Sequence, residues 1–267
     1  MDELASVRPA ALALPAGRDV LWVLTALAAV AALAWAYLLV DVARMEAVRA
    51  AGAGAMMRMG PGTGTDLLLL YGMWSVMMVA MMVPTVAPAV LVYVVIVRRT
   101  APQQPVAPST ALFVAGYLLA WAGFSAFAAL VQWELGRLAM LSPAMAATSP
   151  LVGAALLIGA GVYQWTPLKE ACLRHCQVPL VYLAHHWRPG LRGALPMGLH
   201  HGLYCIGCCW AIMGLLFVGG VMNLLWVAVL SGVVLLEKLA ALGGRAGRML
   251  SGLAAVVAGV AVLAGWV

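Results

Sequence analysis

The chain has 267 residues, of which 65% are hydrophobic and only 9% charged, with a mean hydropathy of +1.02. That composition excludes an ordinary water-soluble globular domain and points to an all-α, polytopic transmembrane helix bundle, because helices satisfy their own backbone hydrogen bonds in lipid. The net charge of +6 does not call for nucleic acid, since Lys and Arg gather in the cytoplasmic loops of membrane proteins as a topology signal.

Residues 1–19 read as a short Pro/Ala-rich tail, and 20–267 as one transmembrane domain, because no hydrophilic stretch is long enough for a second. The apolar run 20–40 exceeds the roughly 7–15 residues of a signal-peptide core and is taken as the first span. A glycine-rich loop to residue 66 carries Arg44, Arg49, Arg58 and the methionines Met56, Met57 and Met59. The second span, 67–97, contains Pro84 and Pro88, each of which removes a backbone donor and predicts a kink. A third span covers 109–131 and a short fourth 151–165. A polar connection over 170–195 leads to the fifth at 198–218. Residues 219–223 form a tight turn, with Asn223 as a cap or helix contact. A sixth span ends near Glu237 and Lys238, where snorkelling or an ion pair is expected. The seventh covers 247–267. Arg8, Arg18, Arg98, Arg99, Lys169, Arg174, Arg188, Arg192, Lys238, Arg245 and Arg248 then fall on one side, and Arg44, Arg49, Arg58 and Arg137 on the other. The positive-inside rule places the N-terminus in the cytoplasm of a multi-pass bacterial inner-membrane protein.

Chemistry concentrates in residues 200–210, which hold two histidines and three of the five cysteines. At about 100° per residue, His201, Cys205 and Cys208 share a sector of about 60°, with Cys209 roughly 40° beyond. Thiolate and imidazole suit Cu(I) or Zn(II), and the carboxylates that hard cations require are absent from this face. Cys172 and Cys176 are four residues apart with His175 between them, so on a helix both sulfurs reach one ion. Met73, Met77 and Met81 recur every four residues, with Met78 and Met82 beside them. Thioethers are soft, uncharged ligands that cost little to bury, although Met and Cys are also ordinary packing residues. Met81 and Cys208 each lie about 15–20 Å from their entry faces, which predicts a meeting at mid-depth. No P-loop, C-x-x-C-H or H-E-x-x-H pattern occurs, which disfavours an ATP-driven pump, a c-type cytochrome and a zincin protease.

Four blocks carry a resemblance. They are Met73-Trp74 to Met81-Met82 with Pro84 and Pro88; Gly161-Val162-Tyr163-Gln164 with Pro167-Leu168-Lys169, Cys172 and Cys176; Gly202-Leu203-Tyr204-Cys205 with Gly207-Cys208-Cys209-Trp210 and Met213; and Gly220-Val221-Met222-Asn223 with Glu237-Lys238. Over about residues 65–240 the chain resembles a bacterial domain-of-unknown-function family described as predicted metal-binding integral membrane proteins. The resemblance implies metal binding and leaves metal and reaction open.

The leading expectation is a non-enzymatic membrane protein that binds a soft metal, Cu(I) before zinc, and transports it or delivers it within the bilayer. Met56, Met57 and Met59 would collect ions outside, and Met73, Met77 and Met81 would carry them inward. His201, Cys205, Cys208 and Cys209 would hold them, and Cys172, His175 and Cys176 would receive them on the cytoplasmic side. Expected partners are the lipid bilayer, the metal ion and a copper chaperone or membrane copper enzyme. A second reading is a membrane thiol–disulfide protein using the pairs Cys205/Cys208 and Cys172/Cys176. A third is a structural subunit whose cysteines only pack.

Overall fold

The computed structural model describes residues 17–50, 64–138, 140–141, 149–239 and 245–266. The tail and the loop methionines Met56, Met57 and Met59 lie outside them. The described residues form α-helices and no sheet: α1 (Gly17–Ala50), α2 (Gly64–Thr100), α3 (Val106–Arg137), α4 (Pro150–Tyr163), α5 (Pro167–Gln177), α6 (Pro179–His185), α7 (Leu191–Gly214), α8 (Leu216–Gly219), α9 (Leu224–Lys238) and α10 (Arg245–Leu263).

Among the described residues five stretches are long and apolar enough to cross a membrane, namely Gly17–Ala47, Thr65–Thr100, Val106–Arg137, Leu191–Gly219 and Arg245–Leu263. The pair α4 and α5, bent by 66°, makes a sixth if it crosses as one. Of the about seven spans expected, five or six are found as candidates among the described residues. The difference lies in α9, whose 15 residues span about 22 Å at 1.5 Å per residue, short of a roughly 30 Å hydrocarbon core. The α4–α5 bend also has a local cause: Thr166 caps α5 by accepting the Lys169 N–H at 3.3 Å, and Pro167 occupies its first position. Both are helix starts and so interrupt the preceding helix.

Helix α2 runs unbroken through Pro84 and Pro88 for 37 residues. Pro84 cannot donate to the Ala80 carbonyl four residues earlier, and the Trp35 indole of α1 donates there instead at 3.1 Å. The start of α1 is tied to the end of α2 by Asp19 and Arg98 at 2.9 Å. At the other end of the chain Gly220 takes a φ of 91° in the turn before α9, and Asn223 Oδ1 caps that helix by accepting the Trp226 N–H at 3.2 Å.

Helices α3 and α7 make the most extensive packing in the bundle, followed by α4 with α10, α2 with α3, α1 with α2, and α5 with α7. Small residues bring α3 and α7 together. A Cβ at Gly198 would fall on the Phe113 carbonyl, one at Gly116 on the Leu195 carbonyl, and one at Gly202 would lie 2.6 Å from the Ala120 Cβ. Such spacing of small residues four apart lets helix backbones approach closely. Around this axis Trp74, Trp121, Tyr93, Tyr117, Phe113 and Met77, Met78, Met81 and Met82 are fully buried. The outer faces of α1 and α10 instead expose Leu21, Trp22, Leu33, Leu253, Val257 and Val260, which is compatible with a lipid-facing belt.

Candidate metal centre

The cysteines converge because α5 lies against α7. Lys169, Leu173 and Cys176, spaced four and three residues apart, form the buried face of α5. Cys205, Cys208 and Cys209 of α7 are each 1% exposed, and Cys176 is 9% exposed. Three sulfurs meet: Sγ of Cys176, Cys205 and Cys208 all lie within 4.8 Å of one another, with Cys176 and Cys208 at 3.9 Å. All five cysteines are free thiols.

Hydrogen bonds orient the cluster. Cys208 and Cys209 donate to the Cys205 carbonyl at 3.0 and 2.9 Å. Cys205 Sγ itself faces the Tyr117 hydroxyl of α3 at 3.1 Å and the Lys238 ammonium of α9 at 2.9 Å. Lys238 also donates to Thr85 Oγ1 of α2 at 2.8 Å. An ammonium in a buried setting needs an anionic or strongly polar partner, and Cys205 Sγ and Thr85 Oγ1 stand in that place.

Behind this sits a second buried charge system. Lys169, 0% exposed, donates to Glu237 Oε2 at 2.6 Å. Gln164 donates to Glu237 Oε1 at 2.7 Å, and Gln177 donates to the Glu237 carbonyl at the same distance. Of the two expectations for Glu237 and Lys238, the ion pair is found, between Glu237 and Lys169, and snorkelling is not: the two residues are 4% and 8% exposed and point into the bundle. The reason is tertiary. Each finds its buried partner on a distant element, Lys169 for Glu237 and Cys205 with Thr85 for Lys238, so neither has to reach water. Sequence reasoning missed Lys169, Glu237, Lys238 and Tyr117. The adjacent Glu-Lys pair inside an otherwise apolar run was the available signal, since an intramembrane charge is a functional marker by default.

The remaining predicted ligands lie outside that trio. His201 is 3% exposed, among Phe113, Tyr117 and Tyr182, and its Nδ1 has no hydrogen-bond partner. Cys209 lies on the same helix, and neither it nor His201 belongs to the group of converging ligand atoms. Cys172 is half-buried, its sulfur 2.7 Å from where a Cβ on Gly207 would be. His175 stacks on Tyr204 at 4.0 Å, and its Nδ1 is 2.7 Å from the Ala171 carbonyl. Met77 and Met81 are 2% and 1% exposed and Met73 is half-buried. The ladder helix α2 packs chiefly on α3 and α1. What joins α2 to the sulfurs is Tyr117, whose hydroxyl also reaches the Met82 carbonyl at 3.3 Å, and Lys238 through Thr85.

The sequence model of one protein family, PpoB2, described as a copper chaperone, matches residues 71–262. No curated protein and no solved structure matches the chain.

Proposed function

Because the chain belongs to the PpoB2 copper chaperone family, we propose that it is a multi-pass bacterial inner-membrane protein that takes Cu(I) as cargo on Cys176, Cys205 and Cys208 and delivers it within the membrane to a copper-requiring acceptor. What supports this reading is the approach of three sulfurs from two helices to within 4.8 Å. Thiolate sulfur lies about 2.3 Å from a bound d¹⁰ metal ion such as Zn(II); at a similar distance in a trigonal site, three sulfurs would stand about 4 Å apart. Cys176 and Cys208 already stand at 3.9 Å. A structural zinc ion prefers four ligands, whereas three sulfurs satisfy the softer Cu(I).

The surroundings fit a cargo ion. Three thiolates and one Cu(I) leave excess negative charge in a low-dielectric interior, and the Lys238 ammonium beside Cys205 offsets part of it. In this reading His201 and Cys209 are further donors on α7, Cys172 and His175 flank the centre on α5, and Met73, Met77 and Met81 supply thioethers along α2.

X-ray absorption at the copper edge tests the centre. Full-length protein loaded anaerobically with one equivalent of Cu(I) should show sulfur ligands, and Cys176→Ser/Cys205→Ser/Cys208→Ser should lose them. Copper without sulfur neighbours in the wild type sinks the proposal. The thiol-exchange reading has its own signature, because closing the 3.9 Å between Cys176 and Cys208 to a bond of about 2.05 Å makes a disulfide. Thiol trapping in cells should find both reduced. A persistent oxidised pair insensitive to copper would favour redox chemistry instead.

A further inference from the structure

Beside the sulfur cluster stands a group of imidazoles of which two, His186 and His200, are unused by it. The rings of His175, His186, His200 and His201 pack around Tyr182, with centroids 5.5, 4.8, 5.7 and 5.8 Å from it. Beside them opens a cavity of about 440 Å³, lined in part by Tyr182, His185, His186, Arg188, Met197 and His200.

Two of these imidazoles are prepared as ligands. His186 Nδ1 is 3.0 Å from the Tyr182 carbonyl; a carbonyl only accepts, so the proton sits on Nδ1 and the Nε2 lone pair is free. His200 Nδ1 is 2.6 Å from the Tyr182 hydroxyl, a group that can donate or accept; in the tautomer in which the ring donates, its Nε2 is free as well. Among the described residues no group hydrogen-bonds to either Nε2. Metal-binding histidines are typically fixed in this way, one ring nitrogen tied to an oxygen and the other left for the ion. An imidazole nitrogen stands about 2 Å from its metal, so two rings sharing one ion have centres roughly 5–6 Å apart. Those of His186 and His200 are 5.3 Å apart.

We propose that His186 and His200 form a second Cu(I) site in this cavity, a proposal that rests on the copper function argued above. The Arg188 side of the cavity repels a divalent ion more than a monovalent one, which favours Cu(I) over zinc here. The site also adjoins the sulfurs. His201, with its partnerless buried Nδ1, lies between Tyr182 and Tyr117, at centroid distances of 5.8 and 6.0 Å. Tyr117 in turn touches Cys205 Sγ.

Anaerobic titration of the full-length protein with Cu(I), followed by copper-edge absorption at each equivalent, tests the proposal. The wild type should bind two equivalents, the first with sulfur ligands and the second with nitrogen ligands. His186→Ala/His200→Ala should lose the second and keep the first, which also reports that the variant has folded. If that variant does not fold, the wild-type titration decides alone. A wild type that stops at one sulfur-ligated equivalent overturns this site and leaves the proposed function standing, as does a double variant that still takes a nitrogen-ligated second equivalent. A wild type whose copper has nitrogen but no sulfur ligands, lost in the double variant, supports this site and overturns the sulfur centre.

Discussion

Lys169 is wholly buried, and its ion-pair partner in the structure is Glu237 at 2.6 Å. Replacing one member of a buried pair strands the other charge, at a cost of about 3–5 kcal/mol, whereas replacing both by apolar residues of similar size is far milder. Glu237→Gln should therefore lower the unfolding free energy of the solubilised protein by about that amount, and Lys169→Met/Glu237→Met should recover most of it. Denaturation midpoints of the wild type and these two variants check this; a double variant no more stable than Glu237→Gln would contradict it. Cysteine identity makes a second contrast on the same helix. Cys176 contributes a sulfur to the converging trio and Cys172 does not. Cys176→Ser should weaken Cu(I) binding by tenfold or more, about 1.4 kcal/mol, while Cys172→Ser should leave it unchanged, as read by competition with a chromogenic Cu(I) chelator.

At the scale of elements, the centre depends on how closely α7 approaches α3. Gly198 has no room for a Cβ against the Phe113 carbonyl, whereas Gly123 of α3 has nothing within 4 Å of that position. Gly198→Leu should separate the helices and abolish both the unfolding transition and sulfur-ligated copper, while Gly123→Ala should leave both intact. Helix α2 offers a finer test. Trp35 serves the Ala80 carbonyl that Pro84 cannot, so Trp35→Phe should destabilise by about 1–3 kcal/mol through an unsatisfied buried acceptor. Adding Pro84→Ala restores a backbone N–H four residues on and should recover part of that loss. A double variant no more stable than Trp35→Phe alone would show that the carbonyl is not what the indole serves.

For the whole molecule, orientation is the property that charge predicts and packing alone does not. If α3 crosses the membrane, the exposed residues Gln103 and Leu138 at its two ends lie on opposite sides. The excess of Arg near Arg98 and Arg99 puts Gln103 in the cytoplasm. In a cysteine-free background, an impermeant thiol reagent applied to intact cells should label Leu138→Cys and not Gln103→Cys; the reverse pattern would invert the topology. The all-α class, the apolar runs and the shared face of Cys205 and Cys208 were legible in the sequence, because helix periodicity is local and acts within a few residues. That Gly198 and Gly202 meet α3 was not legible, because their partners Phe113, Tyr117 and Ala120 lie on a distant segment. What only the tertiary structure decided is which thiol joins Cys205 and Cys208. Cys172 and Cys176 are equivalent by spacing, and the face of α5 that is buried, with Lys169, Leu173 and Cys176, selects Cys176. The tertiary structure likewise turned Glu237 and Lys238 inward, by bringing Lys169 from 68 positions away and Cys205 from 33. A buried charge is stable only beside its partner, and where that partner stands is settled by packing between distant segments, which periodicity along the chain does not encode.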